Sequence, residues 1–226
     1  MKILIVSATF SEVKALVDQL ELIEKKDNFL SRFKQDNNKE IDVLVTGVGI
    51  ASTAYQLGKF LAINNYDFAF NFGIAGAFDK SLNIGDVVNV DSDIISELGA
   101  ENGTSFLKFD ELNLGQSSIE KTLWKVKNDN NICNVVLQKL PKVKGITVNT
   151  VHGNIDSINK IKQLFNPDIE TMEGAAFLQI CIAEKIKCAQ ICAVSNYVEE
   201  RNTGNWNIQL AIETLNETAM RIINSF

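Results

Sequence analysis

Two glutamates and one asparagine carry the chemistry open to this chain. Glu12 lies in "SATFSE", just past an apolar run that reads as a first strand. Glu173 lies in "TMEGAA", where a helical pattern begins, and Asn196 follows the run "CAQICAVS". One carboxylate can take a proton from water while another holds hydroxyl groups. A carboxamide offers two N–H donors and one acceptor, a set suited to the edge of a heterocycle. Ser195-Asn196 at the end of a buried strand is costly unless something satisfies its hydrogen bonds. Taken singly, each residue has an ordinary explanation: a solvated glutamate, or at Glu173 one that favours the helix dipole. Their coincidence at one side of a sheet is what changes the reading.

Two glycine-containing segments fall in the same place. "GVGIAS", with Gly47 and Gly49, comes close to a dinucleotide-binding pattern, but Ser52 replaces the last small residue and the motif follows the wrong strand. Tight turns and pocket-lining amides are both open to it. "NFGIAGA" joins small side chains to a flexible backbone, so that a flat ligand could lie against it; taken by itself, the segment is better explained as a close-packed bend. His152 is the only histidine, which excludes a histidine-rich metal site and makes any Ser-His-Asp triad depend on that residue. A loop or pocket edge suits it better. No metal and no cofactor are expected.

Such a site needs strands to present it. Short apolar runs, "KILIVS", "IDVLVT", "DFAFNF", "DVVNVDSDII", "GITVNTV" and "CAQICAVS", alternate with helical periodicity. The pattern predicts helices at about 50–65 and 172–186, and a closing helix at 207–225 with Ile208, Ala211, Ile212, Leu215, Ala219, Ile222 and Ile223 on one stripe. Alternation of this kind gives an α/β protein, a mixed or parallel sheet covered on both faces, whose ligands bind beyond the carboxyl ends of the strands. The polar stretch Glu97 to Gln116 is expected as an irregular lid, intersubunit loop or exposed connection. The cysteines, Cys133, Cys181, Cys188 and Cys192, have no CxxC spacing and are expected as buried free thiols.

The 226 residues are expected to form one domain, 1–226. A net charge of -6 without basic runs argues against a nucleic-acid surface and for a small-molecule partner. The first strand begins at Lys2, leaving no room for a signal peptide, and no stretch approaches the roughly 20 apolar residues of a membrane span. A cytoplasmic protein without a membrane partner is expected.

The ordered set "ILIVSATFSEVKAL", "VTGVGIASTA", "NFGIAGAF", "NIGDVV", "TMEGAA" and "AVSN" resembles the nucleoside phosphorylase/nucleosidase superfamily across nearly the whole chain. Its hydrolytic branch includes the methylthioadenosine/S-adenosylhomocysteine nucleosidases. Within that branch "ETMEGAA", "SNYVEERN" and Trp206 most resemble the futalosine hydrolases, which release hypoxanthine and dehypoxanthine futalosine in a route to menaquinone. The resemblance implies a three-layer α/β/α sandwich around a twisted mixed sheet, assembled as a homodimer or larger homo-oligomer, with a purine nucleoside as substrate. It implies that Glu12 holds the attacking water and that Glu173 binds the ribose hydroxyls beside Met172. The base would lie against Gly73, Ala75 and Gly76 and meet Ser195 and Asn196, with Gly49 and Thr9 nearby. His152 and Asn154, in the loosely aligned "NTVHGNI", are further pocket candidates. Trp206 caps the substrate or anchors the final helix, the anchor being favoured.

That assignment is chemically coherent. Cleavage of an N-glycosidic bond passes through a cationic sugar, so a carboxylate can both deprotonate water and stabilise the charge. Relatives that act on adenine nucleosides carry aspartate where Asn196 stands. The Asn196 NH2 could serve both N7 and O6 of hypoxanthine, whereas adenine presents a donor at position 6. The sequence departs from the hydrolytic branch at Cys192, where an arginine is common. A phosphorylase would need cations around phosphate, and none of Arg32, Arg201 and Arg221, the only arginines, lies beside "SATFSE", "GVG" or "NFGIAG". A methylthioadenosine/S-adenosylhomocysteine or aminofutalosine nucleosidase and a noncatalytic nucleoside binder are also open to the chain.

Overall fold

The computed structural model describes residues 1–26, 29–35, 39–112, 124–128 and 132–226. At its centre "KILIVS" forms β1 (Lys2–Ser7), flanked by β4 (Lys39–Val45) and β5 (Phe68–Ala77) and parallel to both. A strand covered on both faces needs apolar side chains on both, so its sequence does not alternate. Ile3 and Ile5 enter one core cluster, and Leu4 and Val6 enter another.

Beyond β5 lies β12 (Lys187–Tyr197), parallel to it, followed by β6 (Val87–Ile94), antiparallel to β12. β10 (Lys142–Thr147) and β11 (Ile169–Thr171) continue the sheet. β11 also pairs with the end of β5, so β5, β12, β6, β10 and β11 close into a ring. On the other flank β3 (Leu30–Gln35) and β2 (Glu21–Lys25) add an antiparallel edge, and β9 (Lys125–Lys127) pairs with β6.

Helices cover both faces. α1 (Phe10–Val17) and α5 (Ile208–Asn224) pack Val13, Leu16, Leu215 and Ile222 against Ile3, Ile5, Phe70 and Phe72. α2 (Ile50–Leu61) and α4 (Gly174–Ala183) pack Leu57, Phe60, Phe177 and Leu178 against Leu4, Val6 and Ala69. The result is a three-layer α/β/α sandwich around a mixed sheet. α3 (Ile155–Phe165) closes one end through Ile158 and Ile161, which meet Phe78, Ile146 and Val148.

Several sequence expectations change. "GIAGA" is not a bend: Gly73 to Ala77 continue β5 and pair with β12. Ser195 and Asn196 lie within β12 and not after it. The stretch from Glu97 forms a hairpin of β7 (Gly99–Asn102) and β8 (Ser105–Lys108), then a short helical turn at Phe109–Glu111; residues 113–116 lie outside the described residues. Cys133 is exposed, while the other three cysteines are buried, and none of the four is in a disulfide. Among the described residues no helix is long and apolar enough to cross a membrane.

Candidate active site

Glu12 sits in the first turn of α1, where backbone N–H groups lack helical partners. Its side chain folds back so that Oε2 accepts from Thr9 N at 2.8 Å, Thr9 Oγ1 at 2.9 Å and Ser7 Oγ at 3.1 Å. Thr9 and Glu12 thereby form a capping box at the start of α1. The other oxygen crosses to β5 and accepts from Ile74 N at 3.2 Å. Oε1 makes one described hydrogen bond, which leaves it a lone pair at a cavity that Glu12 lines.

Glu173 faces the same cavity from the start of α4. Its Oε1 accepts from Gly49 N at 2.8 Å, tying the entrance of α4 to the entrance of α2. Gly49 holds this geometry with φ of +98°, a conformation that side chains rarely tolerate. Burial pushes the Glu173 carboxyl up to about 7, and the charge of Glu12 adds to the shift against the Gly49 and Met172 amides. Beneath α4 lies a second carboxyl, Asp93, fully buried and pushed up to about 7 chiefly by burial. Thr147 Oγ1 donates to Asp93 at 2.9 Å and accepts from Ala175 N at 2.8 Å, which orients the first turn of α4. Only glycine fits at 174: an added Cβ would stand 2.4 Å from Asp93 Oδ2 and 1.9 Å from Gln190 Nε2.

Asn196 owes its position to a bulge. Val194 pairs with Ala75 and Asn196 with Gly76, leaving Ser195 as the extra residue. Asn196 Oδ1 lies 2.8 Å from Ser195 Oγ, and Nδ2 donates to the Tyr197 carbonyl at 3.0 Å. The carboxamide oxygen and one N–H are thus engaged, and one N–H remains.

These groups share one cavity of about 260 Å³ with Thr9, Ala75, Gly76, His152, Met172, Ser195 and Trp206. Gly49 and Gly73 stand behind it: Gly49 supports Glu173, and a Cβ at Gly73 would lie 3.4 Å from Glu12 Oε1. Asn154 is the exception. Its Oδ1 caps α3, accepting from Asp156 N at 2.9 Å and Ser157 N at 3.3 Å, and it does not line the cavity. Trp206 does line it and also carries the Arg201 guanidinium 5.2 Å from its ring centroid. Cys192 does not reach the cavity; it is buried beside Val88 and Val194.

A family model described as the phosphorylase superfamily matches residues 2–225. The chain belongs to this superfamily. It is 28% identical to futalosine hydrolase of Thermus thermophilus, over 80% of each chain. It is 25% identical to 5'-methylthioadenosine/S-adenosylhomocysteine nucleosidase of Glaesserella parasuis over the full length of both. The fold is similar to that of futalosine hydrolase from Helicobacter pylori strain 26695, with a TM-score of 0.76, 15% identity and coverage of 100% and 98%.

Of the cavity residues that escaped the sequence reading, one is ionisable. Glu170, in β11, is 4% exposed; it accepts from His152 N at 3.0 Å, and its Oε2 lies 2.6 Å from His152 Nδ1. In "PDIETMEG" it reads as another solvated acid. Only the pairing of the three-residue β11 with both β10 and β5 buries it.

Proposed function

We propose that the chain is a nucleosidase that hydrolyses the N-glycosidic bond of a purine nucleoside, and that futalosine is its substrate. The observation that carries the reading is the meeting of Glu12, Glu173 and Asn196 in one cavity. Glu12, anchored by its outer oxygen, would hold water on Oε1 and take its proton. Ionised Glu173 would accept from the ribose hydroxyls. The departing base would lie along Ala75 and Gly76, with the free N–H of Asn196 at its N7/O6 edge. With one N–H on the Tyr197 carbonyl, the N–H that remains on Asn196 can donate to the N7/O6 edge of a 6-oxopurine. One donor is fewer than the two the sequence suggested, since Tyr197 takes the other.

The futalosine hydrolase of Thermus thermophilus supports this substrate. The full-length similarity to a methylthioadenosine/S-adenosylhomocysteine nucleosidase supports a second reading with the same chemistry on a 6-aminopurine. Phosphorolysis is less well supported: Arg32 is engaged by Asp42, and no arginine or lysine is among the described residues that line the cavity. The test is turnover of futalosine, aminofutalosine, methylthioadenosine and inosine, with free base measured by chromatography with and without phosphate. Preferred, phosphate-independent release of hypoxanthine from futalosine is the expected result. Strict phosphate dependence, or preference for methylthioadenosine, would overturn the corresponding half of the reading.

A further inference from the structure

Three neighbouring strands set Glu170, Gly76 and Asn196 in one row. Glu170 pairs with Gly76 across β11 and β5, and Asn196 pairs with Gly76 across β5 and β12. The side chains close over the glycine: a Cβ placed there would lie 3.5 Å from Glu170 Cγ and 3.3 Å from Asn196 Nδ2. Glu170 in turn grips His152 at two points, the backbone N–H on Oε1 and ring Nδ1 on Oε2. Phe78 meets the imidazole edge-on, with ring centroids 6.1 Å apart. The His152 and Glu170 side chains are 11% and 4% exposed, yet both line the cavity. The arrangement answers a physical need, because a buried carboxylate requires a counter-charge or a full set of donors. His152 supplies both described donors to Glu170.

We propose that His152, held by Glu170, is a catalytic residue that donates a proton to the departing purine. The assignment rests on the nucleosidase reading above. With Nδ1–H directed to Glu170, the ring's other nitrogen, Nε2, is the atom left for a ligand, and the imidazolium form carries a proton there. Asn196 has one N–H to give, whereas the N7/O6 edge of a 6-oxopurine has two acceptors; His152 supplies the second donor. In the reaction the C1'–N9 bond breaks and its electron pair leaves with the base, which takes the Nε2 proton. The water oxygen bonds to C1' and its proton passes to Glu12. Glu170 touches no reacting atom in this scheme; it is a positioning residue that fixes the ring and balances its charge.

The test compares two leaving groups in the full-length protein. Futalosine releases a base that needs a proton, whereas p-nitrophenyl riboside releases an anion that does not. His152→Gln is expected to lower kcat/KM on futalosine by about 10²-fold or more, the usual scale of general acid catalysis, and on the nitrophenyl riboside by less than about threefold. Glu170→Gln is expected to show the same selectivity with a smaller loss. Thermal melting checks folding, and if His152→Gln does not fold, the selective loss must appear in Glu170→Gln alone. Equal losses on both substrates, or no loss on either, would overturn the proposal and leave hydrolysis by Glu12 intact. Failure of the unsubstituted protein to cleave either substrate would instead overturn the nucleosidase reading, and this proposal with it.

Discussion

Glu173→Gln separates a pocket carboxylate from a structural one through pH. Burial holds the Glu173 carboxyl at about 7, against an ordinary value of 4.5. If the ionised form is what binds ribose hydroxyls, kcat/KM falls about tenfold for each pH unit below about 7. Glu173→Gln has no such ionisation, so its activity is lower near pH 8 and its acid limb is lost. Stability carries the opposite sign. The folded protein holds this proton more tightly than the unfolded chain, so the contribution is fully present below about 4.5 and is lost as pH rises through about 7. The 2.5-unit difference between 7 and 4.5 corresponds to about 3 kcal/mol, an upper limit because the side chain still meets water at the cavity. Glu173→Gln is therefore expected to gain stability relative to the unsubstituted protein at pH 8 compared with pH 5. Asp93 acts in the same pH window and with the same sign, and the charge of Glu173 adds to its shift, so the variant also relieves part of the Asp93 contribution in the same direction. Denaturant titration at both pH values and a pH profile of kcat/KM make the measurement. An unchanged acid limb in Glu173→Gln would refute the reasoning and assign that limb to another group.

Asn196→Asp replaces a donor 3.0 Å from the Tyr197 carbonyl with an oxygen, so the site favours a protonated carboxyl or loses a bond worth about 1–3 kcal/mol. The ratio of kcat/KM for aminofutalosine to that for futalosine is expected to rise at least about tenfold; an unchanged or lower ratio would remove Asn196 from reading position 6. Glu12→Gln is expected to lower kcat by about 10²- to 10⁴-fold with little change in substrate affinity. A loss of less than about tenfold, measured with binding by calorimetry, would exclude it as general base. Gly174→Ala forces a methyl onto Asp93 and Gln190 and is expected to destabilise by about 1–3 kcal/mol or more, read as a fall in Tm. An unchanged Tm would mean that the buried cluster yields easily.

Much of the fold was legible because burial on both faces leaves a coarse signature. β1, β5 and β12 are long apolar runs, and the stripe from Ala211 to Ile223 marks α5 before any contact is known. The exposed β2, "ELIEK", has no inward face to give it a pattern, and it becomes a strand only by pairing with β3. Glu12 and Glu173 were legible because they follow strand ends or open helices in recognisable motifs. Glu170 was not, since its burial depends on a ring closure made by residues far apart in sequence. Asn154 misled in the opposite direction: its place in the loop resembled a pocket position, while the following "IDS" supplies the N–H groups that an Asx helix cap needs.

The bulge at Ser195 shows why strand ends alone could not define the site. Side chains alternate across a strand, so a regular β12 would carry Ser195 opposite Gly76 and turn Asn196 to the other face. One extra residue moves Asn196 into the row with Gly76 and Glu170, and Ser195 is spent holding its carboxamide oxygen. A methyl at Gly76 would crowd this row, meeting Val198 Cγ2 at 3.0 Å and Asn196 Nδ2 at 3.3 Å. Bulge, glycine and ring closure are therefore one device, which brings Glu170, Gly76 and Asn196 into a single row at the cavity.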